Sequence, residues 1–256
     1  MKTLRLLVVS LLLVVGGQAM AQTRGAMFLS ASFPAFSDYG EFGDFDDFAL
    51  TSQDGDDGGA GIGFNLGLKW YFNVGVEGLG VMLSLDGFYN GPNSDLKTAY
   101  RNQEGYVGGQ YFGSGLEYNS TPKYINAPLM LGLNYIYHFN PNFGIYVEAG
   151  AGANARFITS METVRKYVLA VETQKTTTQK FDNAFTFAWQ GGIGIEVAKN
   201  LVIGFSVYDL GKADVKGEEI IKTKTLNDNV TVTDQQYNTL GHIHQIMMLG
   251  RIGFTF

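Results

Sequence analysis

The chain contains no cysteine and only five prolines among its 256 residues. The lack of cysteine excludes a disulfide framework, a Cys-based zinc site and a Cys nucleophile. Charged residues make up 16% of the chain, whereas soluble domains usually carry about 25%. The net charge of -6 argues against a general nucleic-acid binder, so we expect no nucleic-acid partner. Beyond residue 21 there is no run of about 18 apolar residues, which rules out a helical membrane protein.

The N-terminus carries the pattern of a secretory signal peptide. Lys2 and Arg5 give a basic start, an apolar run follows from Leu6 to Val15, and Ala19-Met20-Ala21 fits the small-x-small cleavage rule. The apolar run is short for a membrane anchor. We therefore predict a cleaved signal peptide over residues 1–21 and one domain over residues 22–256.

Glycine and aromatic side chains are abundant, with 34 Gly, 19 Phe and 14 Tyr. Several segments alternate with a period of two, as in Ile62–Phe72, where apolar residues occupy one face and Gly, Asn and Lys occupy most of the other. This period predicts strands. A soluble sandwich would also alternate. However, the Gly-rich polar faces, the apolar faces of about ten residues and the aromatics at strand ends favour a membrane barrel.

Short and long connections alternate strictly along the predicted strands. The short ones are Asn73–Gly78, Asn140–Asn142 and Ala198–Asn200, and the long ones cover about 34–60, 91–123, 158–183 and 212–240. The strands cover about 25–33 (ended by Pro34), 61–72, 79–90, 124–139, 143–157, 184–197, 201–211 and 241–256. We therefore expect an all-β fold: an eight-stranded antiparallel transmembrane β-barrel with short periplasmic turns and long extracellular loops, located in the outer membrane.

The third and fourth long connections contain strand-like segments. Ile220–Leu226 and Val230–Thr233 flank the turn sequence Asn227-Asp228-Asn229, and Tyr167–Val171 precedes a run of threonines. We expect strands six to eight to protrude beyond the membrane and to offer a sheet edge for strand addition by a partner.

Four features of the sequence are considered together here: the signal peptide, the segment Ile125–Leu133, the Gly-rich fifth and sixth strands, and the terminal Phe256. Together they resemble the PorT-like outer-membrane β-barrel family, small barrels similar in shape to OmpA and OmpX. The resemblance covers the whole mature chain and implies the fold far more specifically than the function. It permits a role as an accessory component of a secretion or gliding apparatus.

Six charged residues fall on the predicted inward faces: Lys69, Asp86, Glu148, Arg156, Glu196 and Arg251. Counting from the turns places Asp86 and Arg156 nearer the outer rim and the other four in the periplasmic half. An eight-stranded barrel is just wide enough for its own side chains to fill. Because unpaired buried charges are costly, we expect these residues to pair and to plug the lumen. The alternative is a narrow ion path or a charge gate.

The first long connection contains eight acidic residues and no Lys or Arg. Within it, Asp54, Asp56 and Asp57 form a candidate cation-binding loop, because carboxylate oxygens suit Ca²⁺. The alternative is a solvated acidic loop.

Phe254 and Phe256 share one face of the last predicted strand. A terminal aromatic on such a strand resembles the signal that is read by the barrel assembly machinery. We therefore expect two partners, this machinery during insertion and outer-membrane lipid.

His242 and His244 share an outward face near the outer rim. A two-His metal clip lacks a visible third ligand. A His with a loop Ser and an acid would suit a rim-sited lipid-modifying enzyme, but no spacing supports one. We therefore expect no catalytic residue, no metal site and no cofactor. The favoured function is non-catalytic, namely envelope integrity, surface adhesion or docking of a surface or envelope protein partner. The alternatives are the accessory role and the lipid enzyme.

Overall fold

The computed structural model describes residues 23–38, 60–92, 105–107, 110–112, 117–168, 172–198, 200–225 and 231–256. Within these ranges no helix could cross a membrane. The thirteen strands are β1 (Thr23–Asp38), β2 (Ala60–Asn73), β3 (Leu79–Pro92), β4 (Gly105–Val107), β5 (Gln110–Phe112), β6 (Glu117–Ser120), β7 (Tyr124–Asn140), β8 (Phe143–Ile158), β9 (Met161–Val168), β10 (Glu172–Phe181), β11 (Ala184–Val197), β12 (Leu201–Thr225) and β13 (Thr231–Thr255).

The long strands pair antiparallel in the order β1, β2, β3, β7, β8, β11, β12 and β13. β13 pairs in turn with β1, so the pairings form a ring. The predicted all-β antiparallel barrel fold is confirmed. The predicted count of eight does not describe the chain, because five further strands lie in the second and third long connections.

Two predicted strand limits are wrong. Pro34 does not end the first strand: β1 continues to Asp38, with a register shift between Pro34 and Phe36. A bulge tolerates proline because the ladder is already interrupted there. β12 and β13 are each 25 residues long, so most of the predicted fourth connection is strand. Its β-branched residues favour extended backbone, and pairing continues to Lys224 opposite Thr231.

The three short connections lie at one end of the ring, which we call the short-turn end. Asn73 Oδ1 accepts a hydrogen bond from the Gly75 amide at 2.8 Å, and Asn140 Oδ1 accepts one from the Asn142 amide at 2.9 Å. Such side chains stabilise tight turns. Gly78 has a φ of +76°, and a Cβ there would lie 2.2 Å from the carbonyl oxygen of Ile136, so this position requires glycine.

At the opposite end, β12 and β13 continue beyond the ring as a hairpin. β10 pairs with the upper part of β12, β9 pairs with β10, and β6 pairs with β9. We call these five strands the protruding sheet. Gly211 marks where it begins: its φ is +75°, and the ladder between β12 and β13 shifts register between Asp209 and Lys212.

Candidate functional site

The outward side chains of the ring strands form an apolar belt. It includes exposed residues from all around the ring: Met27, Leu29, Phe64, Leu66, Leu85, Leu129, Leu131, Val147, Ile193, Ile203, Phe205 and Ile252. A band of exposed apolar side chains around a whole ring of strands is the lipid-facing surface of a transmembrane barrel. The ring therefore spans a membrane, and its short turns on one side and long connections on the other are those of an outer-membrane barrel.

Aromatic side chains lie at both edges of the belt. At the short-turn end, Phe139 lies between Tyr137 and Phe143, with ring centroids 5.1 Å and 5.9 Å away. Towards the opposite end, Phe185 and Phe187 are exposed on β11. These positions match the girdles that anchor a barrel at the two membrane interfaces.

The side chains inside the barrel form layers. Successive inward residues of β13 belong to successive layers, from the outer mouth towards the short-turn end. Ile243 belongs to an apolar cluster at the outer mouth, Gln245 to a polar layer, and Met247 and Leu249 to a second apolar cluster. Arg251 follows in a charged layer. The third apolar cluster contains Ala26, Phe28, Tyr146 and Val202 and lies nearest the short-turn end. Apolar and polar layers therefore follow one another along the lumen.

Four of the predicted lumen charges meet in the charged layer. Arg251 lies 2.8 Å from Asp86 and 3.3 Å from Glu148, and Lys69 donates a hydrogen bond to the same Glu148 oxygen. We call Lys69, Asp86, Glu148 and Arg251 the central charge cluster. All four are buried, and two acids face two bases, so the cluster has no net charge. Asp86 belongs to this cluster because the long Arg251 side chain crosses the lumen to reach it.

Uncharged residues complete the central charge cluster. Tyr208 donates its hydroxyl hydrogen to Asp86 at 3.0 Å, and Arg251 donates to the Ser206 hydroxyl at 3.1 Å. The guanidinium of Arg251 also lies 4.8 Å from the centre of the Phe28 ring. Such contacts compensate charges that burial has removed from water.

Arg156 is held in the polar layer above. Its guanidinium donates to the backbone carbonyls of Ile243 at 2.8 Å, Gly211 at 3.0 Å and Leu210 at 3.3 Å. It also donates to Asn126 Oδ1 at 3.1 Å. In these contacts carbonyl and amide oxygens supply the negative ends of the bonds.

Glu196 lies apart from the other lumen charges, at the short-turn end. Arg24 donates a hydrogen bond to its Oε2, and His138 Nε2 lies 3.7 Å from its Oε1. We call Arg24, His138 and Glu196 the short-turn rim cluster. It borders a pocket of about 200 Å³ that opens at this end of the barrel.

Sequence reasoning missed several of these partners. Arg24 shares the inward parity of Ala26 and Phe28, so extending the first strand by one residue would have identified it. Tyr208 and Ser206 alternate inward on β12 in the same way. Their roles were not evident because their contacts depend on distances across the lumen.

His242 and His244 project outward at the outer rim as expected. His244 Nε2 lies 2.9 Å from Asp209 Oδ1, and Asp209 also accepts from the Gly211 amide at 2.8 Å and from Trp189 Nε1 at 3.1 Å. Within the described part of the chain, no group of three or more His, Asp or Glu side chains is placed to hold a metal ion.

Two further sets of predicted site residues are the acidic loop and the predicted assembly signal at Phe254 and Phe256. The acidic loop residues Asp54, Asp56 and Asp57, like the predicted signal peptide, lie outside the described residues. Phe254 and Phe256 are exposed on the outward face at the short-turn end. The backbone of Phe256 exchanges two hydrogen bonds of 2.9 Å with Gly25, which ties the chain end to β1.

No protein-family model and no curated protein matches the chain, so the PorT-like assignment stays a prediction. Solved structures of outer-membrane proteins are similar to it. Ail, the attachment invasion locus protein of Yersinia pestis, is 13% identical over 92% of this chain and 99% of its own, with a TM-score of 0.36. OprG of Pseudomonas aeruginosa is 12% identical over 91% and 95%, with a TM-score of 0.38. A major outer-membrane protein of Thermus thermophilus is 10% identical over 90% and 99%, with a TM-score of 0.40.

Proposed function

We propose that the protein is a non-catalytic outer-membrane barrel with a filled lumen that docks a surface or envelope protein through its protruding sheet. Envelope integrity and surface adhesion are the broader roles that such docking serves. The single observation that carries the proposal is the length of β12 and β13, 25 residues each.

A tilted strand needs about 9–11 residues to cross a bilayer. The rest of β12 therefore extends roughly 45 Å along the strand direction. A protein that needed only to span the membrane would not require this paired extension. The backbone of this extension is already ordered by strand pairing, so binding a partner there would cost little conformational entropy. This order supports a role in binding.

The edge of the protruding sheet supports docking by strand addition. β6 is the last strand in the sheet order, and its described pairing with β9 covers only positions 162–164. An extended partner segment gains main-chain hydrogen bonds at such an edge.

Site-specific photo-crosslinking in whole cells tests this proposal. A photoreactive residue would replace Val232 or Lys224, which lie on opposite faces of the protruding sheet, and Ile193 in the apolar belt is the matched control. We expect a discrete protein adduct from Val232 or Lys224 and lipid adducts alone from Ile193. Absence of a protein adduct from both protruding positions would overturn docking.

The pair formed by His244 and Asp209 favours a second candidate, a rim-sited lipid-modifying enzyme. An imidazole beside a carboxylate supplies two of the three groups of a Ser–His–acid hydrolase. Lipid A mass spectra of cells producing the wild type or the H244A variant test this candidate. A difference in acylation would support it, and identical spectra would remove it.

A further inference from the structure

The protruding sheet has a second edge, which is formed by β13. β13 pairs with β1 only as far as Asp38 opposite His244, at the outer rim. Beyond His244, no strand among the described residues pairs with the side of β13 that faces away from β12. We call this side of residues 231–239 the β13 edge. A strand edge presents a row of backbone N–H and C=O groups with which another strand can pair.

The β13 edge lacks the features that usually prevent strand addition. Edge strands are commonly very short, bulged, or protected by lysine or proline. Residues 231–239 contain no lysine, arginine or proline. Their ladder with β12 runs without a register shift from Thr239 opposite Lys216 to Thr231 opposite Lys224. The β13 edge is therefore long and regular, whereas β6 at the other edge has only four residues.

The side chains of the β13 edge leave it open to an incoming strand. Gln235 donates a hydrogen bond to Glu218 of β12, and Tyr237 donates one to Asp182, which follows β10. Both side chains therefore extend across the sheet and away from the edge. All residues from Thr231 to Tyr237 are exposed.

The sequence of the β13 edge is complementary to itself. If two copies pair antiparallel about Gln235, this residue faces its own counterpart, and Thr233 faces Tyr237. Asp234 is the only charged residue in the segment, and it faces Gln236 instead of a second Asp234. Gln236 already donates to Asp234 of its own strand at 3.1 Å, so the carboxylate is partly compensated. No like charges lie opposite each other in this register, which favours pairing.

Antiparallel pairing determines where the second copy lies. Two barrels in one membrane have their β13 strands pointing the same way, so their β13 edges run parallel. A barrel in a facing membrane is inverted, and its β13 runs antiparallel to the first. Gln235 lies roughly 30 Å beyond His244 along the strand, at about 3.3 Å per residue. Pairing about Gln235 therefore holds two membranes up to roughly 60 Å apart.

We propose that the protein binds a second copy of itself in a facing membrane by antiparallel pairing of the two β13 edges. The pairing joins two protruding sheets into one continuous sheet. A single contact of this size is weak, but many copies on two facing membranes bind together and make the adhesion strong. The contact lies at the opposite edge of the sheet from β6, so it does not depend on the docking proposed there.

Outer-membrane vesicles shed by cells that produce the full chain test the proposal, because they keep the long connections outside. Two vesicle populations are labelled with different dyes, mixed, and scored for clusters that contain both. We expect such clusters only when both populations carry the protein, with membranes up to roughly 60 Å apart in electron cryomicroscopy. Clusters that need the protein in only one population, or no clusters when both carry it, would overturn self-binding and leave docking at β6 untouched.

Substitutions at Gln235 test the register. Q235K places two lysines opposite each other and should abolish clustering, and Q235E should do the same with two carboxylates. Mixing Q235K vesicles with Q235E vesicles should restore clustering, because opposite charges then face each other. T176K is the matched control, since it adds a lysine on β10 in the interior of the sheet, and it should cluster as the wild type does. Failure of the mixed pair, or loss of clustering in T176K, would contradict pairing at the β13 edge.

The absence of cysteine from the chain allows the pairing itself to be measured. Under oxidation, Q235C should form disulfides between differently tagged copies from the two populations, because directly opposite residues lie within disulfide range. T233C should not pair with itself, since two copies of this position lie roughly 13 Å apart along the strands, but it should pair with Y237C. Equal yields from T233C alone and Q235C alone, or disulfides confined to one population, would show that the edges do not pair in this way.

Discussion

Arg251 contacts Asp86 across the lumen, with Nη2 of the guanidinium 2.8 Å from Oδ1 of the carboxylate. The two residues are 165 positions apart in sequence, and their strands are not neighbours in the ring. The same guanidinium reaches Glu148 of β8. Arg251 therefore links three separate strands, and its removal should affect the whole ring.

We expect R251M to lower the free energy of unfolding by about 3–5 kcal/mol. The substitution keeps much of the side-chain volume, but it leaves Asp86 buried without its cationic partner. Urea unfolding in micelles, followed by tryptophan fluorescence, measures the change.

The matched control is K180M in the protruding sheet. Lys180 pairs with Glu218 at 2.9 Å, but its side chain is exposed, so its loss should cost less than about 1 kcal/mol. Equal effects of the two substitutions would show that the central charge cluster contributes nothing beyond a surface ion pair.

The layered interior should block ion flow. We expect planar-bilayer recordings of the purified protein to show no steady, large unitary conductance, because apolar clusters at three levels interrupt any aqueous path. The Y124A substitution would open only the apolar cluster at the outer mouth. It should not permit conductance, because the other two apolar clusters still fill the lumen. Steady unitary currents from the wild type would contradict a filled lumen.

The ring strands could be predicted from the sequence because lipid outside and packed side chains inside impose opposite demands on alternate residues. The predicted strands 79–90 and 184–197 correspond to β3 (Leu79–Pro92) and β11 (Ala184–Val197). Inward charges such as Lys69 and Glu148 were identified by the same alternation. Alternate residues of a ring strand face lipid and the packed interior, so the residue types alternate in the sequence and reveal the strand.

Contacts across the lumen could not be predicted in this way. The pairing of Arg24 with Glu196 joins β1 to β11, and nothing in either segment encodes the distance between them. The continuation of β1 past Pro34 was missed for a related reason, since a bulge depends on the partner strand as much as on the proline. The polar contacts of Arg156 with backbone carbonyls depend likewise on where two other strands, β12 and β13, place those oxygens.

Glycines on the inward faces should differ sharply from those on the outward faces. A Cβ at Gly204 would lie 2.2 Å from the Tyr146 hydroxyl, whereas a Cβ at Gly250 meets nothing within 4 Å. We expect G204A to cost about 1–3 kcal/mol of stability and G250A to be neutral or to stabilise by up to about 1 kcal/mol. Urea unfolding measures both variants.

The double variant G204A/Y146F tests the cause. It should recover part of the loss, because Y146F deletes the nearest clashing atom, and the Ile193 carbonyl oxygen at 2.9 Å accounts for the remainder. If the second substitution restored nothing, the Tyr146 contact would not be the source of the cost.

Tyr237 in the protruding sheet should titrate at higher pH than a free tyrosine. Its hydroxyl donates to Asp182, and this hydrogen bond, with the negative charge of the carboxylate, raises the pKa of Tyr237. Because the raised pKa favours the protonated form in the folded state, the contact stabilises the sheet below about pH 10 and is lost as the pH rises through the folded pKa. NMR titration of the labelled ring carbon measures this pKa.

The control for Tyr237 is D182N, which removes the charge and should return the pKa towards about 10. An unchanged Tyr237 titration in D182N would mean that the carboxylate does not hold the hydroxyl.

Phe256 should matter for assembly in cells more than for stability in micelles. Its side chain is 77% exposed, and it is the backbone of the residue that bonds to Gly25. F256A keeps those backbone bonds and removes the aromatic ring that a barrel assembly machinery would read. We therefore expect F256A to refold in micelles with near wild-type stability but to reach the outer membrane in reduced amounts.

F205A, which removes a ring 45% exposed in the middle of the belt, is the matched control and should be inserted normally. Quantification of folded protein in outer-membrane fractions compares the two. Equal insertion of F256A and F205A would indicate that the terminal aromatic acts only as one more lipid-facing side chain.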